Sequence, residues 1–118
     1  ADVLVPTSES AGKVVRIACA HFDHMGYSEV RTRQARESVE FLGLDNPEYP
    51  TIMMGDLNVG SGSVLDPLSN VGDHIGYSWV DHIWAFPKGA WSGSETFESK
   101  DCGNLSDHDP VMATVTLK

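Results

Sequence analysis

Apolar positions arrive along this chain in short, dense runs, and the run lengths predict its elements. DVLV at 2–5 is β-prone, and PTSESAG at 6–12 is turn chemistry. KVVRIACAHF at 13–22 is apolar on both faces, the pattern of a central strand. These first two runs read as a hairpin. Ser28 suits an N-cap with Glu29 in the first turn, and Val30, Ala35, Val39 and Leu42 then recur at roughly helical spacing. Gly43 suits the left-handed residue past a helix end and Pro47 follows, so the spacing predicts a helix over 29–42. The run TIMM at 51–54 predicts a strand, and 13–54 becomes a strand–helix–strand unit in which a parallel pair is favoured. The stretch 60–76 is turn-rich, with one short helical turn near 63–68. SWVDHIWAF at 78–86 alternates like a strand, and Pro87, Lys88 and Gly89 make a turn. SETFES at 94–99 is a weak strand and DPVMATVTL at 109–117 a strong one. The fold class is α/β (α+β), with no internal repeat, low-complexity tract or linker.

Polar groups gather where these strands end. His21 and Asp23 close the first long strand, and Asp56 and Asn58 follow TIMM. Asp81 and His82 lie within 78–84, and Asp107 and His108 precede the last strand. Ligands of open α/β sheets bind at the carboxyl ends of parallel strands, so His21, Asp23, Asp56 and Asn58 should share a rim. On an extended chain Asp56 and Asn58 face one way. A carboxylate and an amide so placed bind a hard cation or orient a water, although an Asx-turn at a strand end explains the same tetrapeptide. Within 78–86, Asp81 and Ile83 share one face and His82 and Trp84 the other. An aspartate in such a strand can orient an imidazole and stabilise its charged form. Each Asp-His pair taken singly reads equally as a solvated turn. HFDH at 21–24 leaves a zinc alternative open, with His21, Asp23 and His24 as short-range ligands. His74 falls in a loop and reads as solvated.

Composition narrows the classes. The 118 residues fit one domain, and 41% hydrophobic with 21% charged is an ordinary globular balance. A net charge of −9 argues against broad binding to phosphate backbones, yet a metal ion can supply positive charge locally. Cys19, inside an apolar run, reads as a small buried residue, and a Cys19–Cys102 disulfide is the less favoured alternative. No apolar run reaches membrane-spanning length. No signal peptide is visible and the chain starts at Ala1 without Met, as a processed product would. The compartment stays open, with an extracellular or secreted location slightly favoured. Trp79, Trp84 and Trp91 read as core, since strand-borne indoles usually are.

Taken together, ACAHFDH, RTRQA, MMGDLN, WVDHIW and LSDHDPVMATV resemble the endonuclease/exonuclease/phosphatase family, whose fold is that of deoxyribonuclease I. Five motifs in order span nearly the whole chain. The resemblance implies a metal-dependent phosphoester hydrolase using Mg2+ or Mn2+. His21 would contact the scissile phosphate or assist the leaving group. Asp56 would position or activate the nucleophile, and Asn58 would stabilise the phosphoryl oxygens. Asp81 would orient His108, the general base for in-line attack by water. Asp107 would be a metal ligand, with Asp56 beside it. Arg31 and Gln34 match the family's helix positions, and Arg31 is the one that would bind substrate. His82 stands where many relatives carry an aromatic residue. Family substrates span DNA, RNA, sphingomyelin and inositol phosphates, and the acidic charge tilts away from long nucleic acid.

The family's domain is about twice this long, and its first half carries an Asn and a metal-binding Glu with no counterpart here. Residues 1–118 thus resemble the C-terminal portion, half of a two-sheet sandwich with a mixed sheet and one main covering helix. The expected partners are a phosphoester substrate and either an N-terminal half or a second copy of the chain to bury the uncovered face. A non-catalytic half-domain serving binding or assembly is the rival reading.

Overall fold

A computed structural model describes residues 1–6, 12–98 and 103–118. Strand β1 (Asp2–Val5) turns back antiparallel onto β2 (Lys13–His21), and helix α1 (Ser28–Leu42) carries the chain to β3 (Thr51–Asp56). A 3-10 turn (Ser63–Leu65) and the short helix α2 (Asp66–Ser69) lead into β4 (Asp73–Ser78) and β5 (Asp81–Phe86). Strands β6 (Trp91–Glu98) and β7 (Val111–Leu117) follow. The main sheet has order β1-β2-β3-β5-β4, and β6 and β7 form a separate antiparallel pair. The β2–β3 pair is parallel, and β3–β5 and β5–β4 are antiparallel, so the sheet is mixed.

The two faces of the main sheet have different fates. On one, Ala18, Ala20 and Phe22 from the β2 segment, Met53 from β3, and Trp84 and Phe86 from β5 meet Ala35, Val39 and Leu42 of α1 and Leu65 and Leu68 of the helical turns. This is the core. On the other face, Ile83 and Ala85 are buried where the β6–β7 pair packs against β4 and β5. Cys19 and Met54 lie in the same cross-strand row as Ile83 and stay exposed. The covering is therefore incomplete over β2 and β3.

Several expectations change. Residues 73–78 form a strand and not a loop, and 78–86 is split by a two-residue turn at Trp79 and Val80. The pattern hid β4 because its apolar positions are few and a bulge between His74 and Gly76 breaks its alternation. The last strand, β7, alternates, with Met112, Thr114 and Thr116 exposed. It pairs with β6 outside the main sheet. Strand β2 is central only in part, because β1 covers Lys13–Arg16 and no other strand among the described residues pairs along the rest of that edge. Ser28 is the first helical residue and not the cap; Tyr27 caps α1 without a side-chain bond, and Gly43 ends it at φ 62°. Cys19 is exposed and not buried. Cys102 lies outside the described residues, and with it the less favoured alternative of a 19–102 disulfide. No helix among the described residues is long and apolar enough to cross a membrane.

Candidate active site

Register builds the site. Parallel pairing sets His21 opposite Asp56, and antiparallel pairing sets Asp56 opposite Asp81. Strand alternation puts all three on the face away from α1, at one end of the sheet. The loop before β7 then brings His108 over this row. His108 Nδ1 lies 2.6 Å from Asp81 Oδ2, a short charge-assisted bond in which the imidazole donates. His108 Nε2 is left facing Asp56 Oδ2 at 4.0 Å and Asp107 Oδ1 at 3.9 Å. From the opposite side, His21 Nε2 stands 3.7 Å from the same Asp56 oxygen.

Asp56 divides its two oxygens. Oδ1 accepts the Asn58 backbone N–H at 2.8 Å, which closes an Asx-turn, and Oδ2 is free for the cleft. The chain does not stay extended here: Asn58 has φ 51°, and its side-chain Nδ2 donates to the Phe22 carbonyl at 2.7 Å. The amide thus ties the end of β3 to the end of β2, and asparagine tolerates this left-handed backbone well. Asp107 is the most exposed member, with 93% of its side chain open to solvent.

Arg31 is engaged away from the cleft. Its guanidinium donates to the Gly26 carbonyl at 2.8 Å and the Asp23 carbonyl at 3.3 Å. Gln34 Oε1 accepts the Asp23 N–H at 3.0 Å. The RTRQA motif therefore fastens the loop after β2. Asp23 Oδ1 accepts the Met25 N–H. His21, Asp23 and His24 do not form a metal-ligand group. The group whose ligand atoms all lie within 4.8 Å of one another, among the described residues, is Asp56, Asp81 and His108.

Two further histidines form a bonded pair behind the turn. His82 is 1% exposed, and its Nε2 donates to the Val59 carbonyl at 2.7 Å. Its Nδ1 must then accept, which makes His74 Nε2 the donor across 2.9 Å. His74 stacks on Trp84 with centroids 4.3 Å apart and also lies against Tyr77 and His82. It is a strand residue in a ring stack and not a loop residue, and it stays exposed to solvent as expected.

Electrostatics separate the imidazoles. The hydrogen bond to Asp81 holds the His108 pKa above the usual 6.5, with the charges of Asp81, Asp107 and Asp56 adding to it against a smaller desolvation. Burial pushes His74 down to about 4, with the nearby His82 adding to the shift. Burial lowers His82 too, against the Val59 carbonyl and the carboxylates of Asp81 and Asp56. A histidine whose folded pKa is depressed takes its proton first in the unfolded chain, so the folded state loses stability as pH falls through 6.5 toward the folded value. We expect the melting temperature to drop between pH 7.5 and 4.5. His74→Phe, which keeps the stack and removes one titrating group, should flatten that drop; an unchanged slope would remove His74 from the acid response.

Trp79 is the second left-handed residue that is not glycine, at φ 53°. It opens the two-residue turn between paired Ser78 and Asp81, a place that Gly, Asn or Asp fills more easily. A bulky side chain there costs roughly 1–2 kcal/mol. It is 64% exposed, not core, and its ring centroid is 5.2 Å from that of His108.

No family model matches the sequence, and no curated protein matches it. Solved structures do. A functionally unknown conserved protein from Enterococcus faecalis V583 aligns with TM-score 0.72 and 22% identity over 95% of this chain and 53% of its own. A mannosyl-6-phosphatase from Bacteroides thetaiotaomicron VPI-5482 aligns with TM-score 0.62 and 20% identity over 90% and 52%. An endonuclease/exonuclease/phosphatase family protein from Bacteroides thetaiotaomicron aligns with TM-score 0.58 and 21% identity over 88% and 48%. The chain spans about half the length of the structures it matches. Its fold is half of the deoxyribonuclease-I-like sandwich.

Proposed function

We propose that this chain supplies most of the catalytic groups of a metal-dependent phosphoester hydrolase. The observation that supports this best is the His108 imidazole, bonded through Nδ1 to Asp81 with Nε2 turned toward Asp56. That tautomer leaves the Nε2 lone pair to take a proton from an attacking water, while Asp56 Oδ2 orients the water. His21, on the far side of Asp56, contacts the phosphate or assists the leaving group. Asn58 fixes the turn that aims Asp56 and lends its amide to the phosphoryl oxygens. Arg31 serves substrate indirectly, by holding the loop beyond His21.

The donor set fits a hard divalent cation. Asp56 and Asp107 offer carboxylate oxygens, and Mg2+ or Mn2+ is commonly held by one or two carboxylates with waters. Asp81 and His108 direct their facing atoms at each other, so the orienting pair is assigned to proton handling and the other two carboxylates to the metal. When bound, the cation would neutralise charge on the phosphoryl group. Hydrolysis of p-nitrophenyl phosphate and bis-p-nitrophenyl phosphate, with Mg2+ or Mn2+ titrated in, tests the reading. Turnover that EDTA abolishes supports it. Metal binding without turnover would favour the rival half-domain binding module.

The uncovered sheet face points to a partner: a complementary half of the sandwich or a second copy of this chain about a two-fold axis. Cys19 is exposed and Met54 is 37% exposed on that face. Apolar surface left in water forfeits roughly 25 cal/mol per Å². Light scattering at micromolar concentration should report a dimer, or a one-to-one complex when the complementary half is supplied. A monomer that ignores such a half and binds no apolar dye would contradict this.

A further inference from the structure

Trp79 borders the cleft yet has no part in the proton chemistry. Its backbone sits at φ 53° in a turn that glycine would make without strain, and 64% of the residue is in water. An exposed indole at a strained position neither fills the core nor eases the turn, and backbone strain of this kind clusters at ligand-binding sites. Its ring stands against His108, with centroids 5.2 Å apart and planes tilted by 46°. The next residues along the chain are Val80, buried, and Asp81, which grips His108. The turn thus fixes the platform and the base together.

We propose that Trp79 is the specificity-determining residue of this site: its indole stacks on the apolar face of a pyranose whose phosphate lies between His21, Asp56 and His108. The inference rests on the phosphoester reading and narrows it to sugar monophosphates. Asp109, exposed in the loop beside His108, accepts hydrogen bonds and donates none, while Asp107 is left to the metal. Sugar hydroxyls supply the donors such a rim needs. A base amino group could meet the same acceptor, so AMP is the competitor the test must carry, whereas a longer nucleic acid needs a positive track. The net charge is −9, and Arg31 is spent on backbone carbonyls.

The test is calorimetric binding in Mg2+ of mannose 6-phosphate, glucose 6-phosphate, glycerol phosphate and AMP. It is run on the wild-type chain, Trp79→Gly and Trp79→Phe, with melting temperatures measured alongside. We expect the hexose phosphates to bind the wild type more tightly than glycerol phosphate or AMP. Trp79→Gly should weaken the hexose phosphates roughly tenfold, the usual scale of one stacked ring, and leave glycerol phosphate unchanged. The same variant should melt higher, since glycine relieves the turn, so lost affinity cannot be lost folding. Trp79→Phe should regain most of the hexose affinity. Unchanged hexose affinity in Trp79→Gly, or AMP bound more tightly than the sugars, would overturn the proposal. Failure of every monoester to bind, glycerol phosphate included, would instead overturn the phosphoester reading beneath it.

Discussion

His108→Ala and Asp56→Asn are each expected to lower turnover by about 10²–10⁴-fold, the range that positioned acid–base groups commonly contribute. The fold should survive both changes. His108 lies in the loop before β7 and is outside the core cluster, and Asp56 sits at the open end of the sheet. The two losses should not add fully, because Asp56 Oδ2 and His108 Nε2 face each other at 4.0 Å and in the proposed mechanism would act on one water. Far-ultraviolet circular dichroism and melting curves check the fold; initial rates with one aryl phosphate and one metal check the chemistry. Near-wild-type rates in either variant would remove that residue from the mechanism.

Gly55→Ala is expected to be the most damaging single methyl in the site. Gly55 has φ 150°, a conformation that L side chains rarely adopt, and it pairs with Ala20 across the parallel ladder. A Cβ at this position would lie 1.8 Å from the Ala20 carbonyl oxygen. That atom is backbone, so no side chain can swing aside. Either β2 and β3 separate or the end of β3 rotates. Separation breaks the pairing that sets His21 opposite Asp56, and rotation moves Asp56 itself. Overpacking typically costs about 1–3 kcal/mol, and backbone strain is of similar size. A marginal domain has only roughly 5–15 kcal/mol in total. The variant should melt at least several degrees lower or fail to accumulate. A Gly55→Ala protein with unchanged melting temperature would mean that the sheet relaxes there more easily than the close approach implies.

Much of this site was legible because its residues sit at strand ends, where apolar runs stop abruptly. The strand–helix–strand reading of 13–54 favoured a parallel pair, and that pairing sets His21 opposite Asp56. The alternation of DHIW gave the split between Asp81 and His82, and His82 is indeed on the core side. What the pattern hid was the hairpin before it. Strand β4 carries Asp73, His74, Gly76 and Ser78, so it offers almost no apolar period. Once β4 is missed, Trp79 looks like a strand residue and therefore core. Its exposure follows from a turn that no local turn signal announces, since Trp and Val replace the usual Asn-Gly or Gly-Gly. The two-residue spacing between Ser78 and Asp81 was the available clue.

Arg31 shows a different limit. The resemblance carried it over as a substrate contact because it matches the family's helix positions near the cleft. Its bonds to the Gly26 and Asp23 carbonyls depend on how the loop 23–26 curls back toward α1, and that is set by tertiary contacts. The exposed face over β2 and β3 was foreseen from an excess of apolar strand over covering helix. Its location was not, because the β6–β7 pair proved to cover β4 and β5 instead.

The central claim is that Asp81 holds His108 as the base, and the pH–rate profile tests it most directly. Only the unprotonated imidazole accepts a proton, and Asp81 raises the His108 pKa above 6.5. With metal held constant, kcat/KM should therefore rise with pH through a limb centred above 6.5 in the wild type. In Asp81→Asn the limb should move to lower pH while the maximal rate falls. An Asp81→Asn profile that keeps both the wild-type limb and the wild-type maximum would contradict the account.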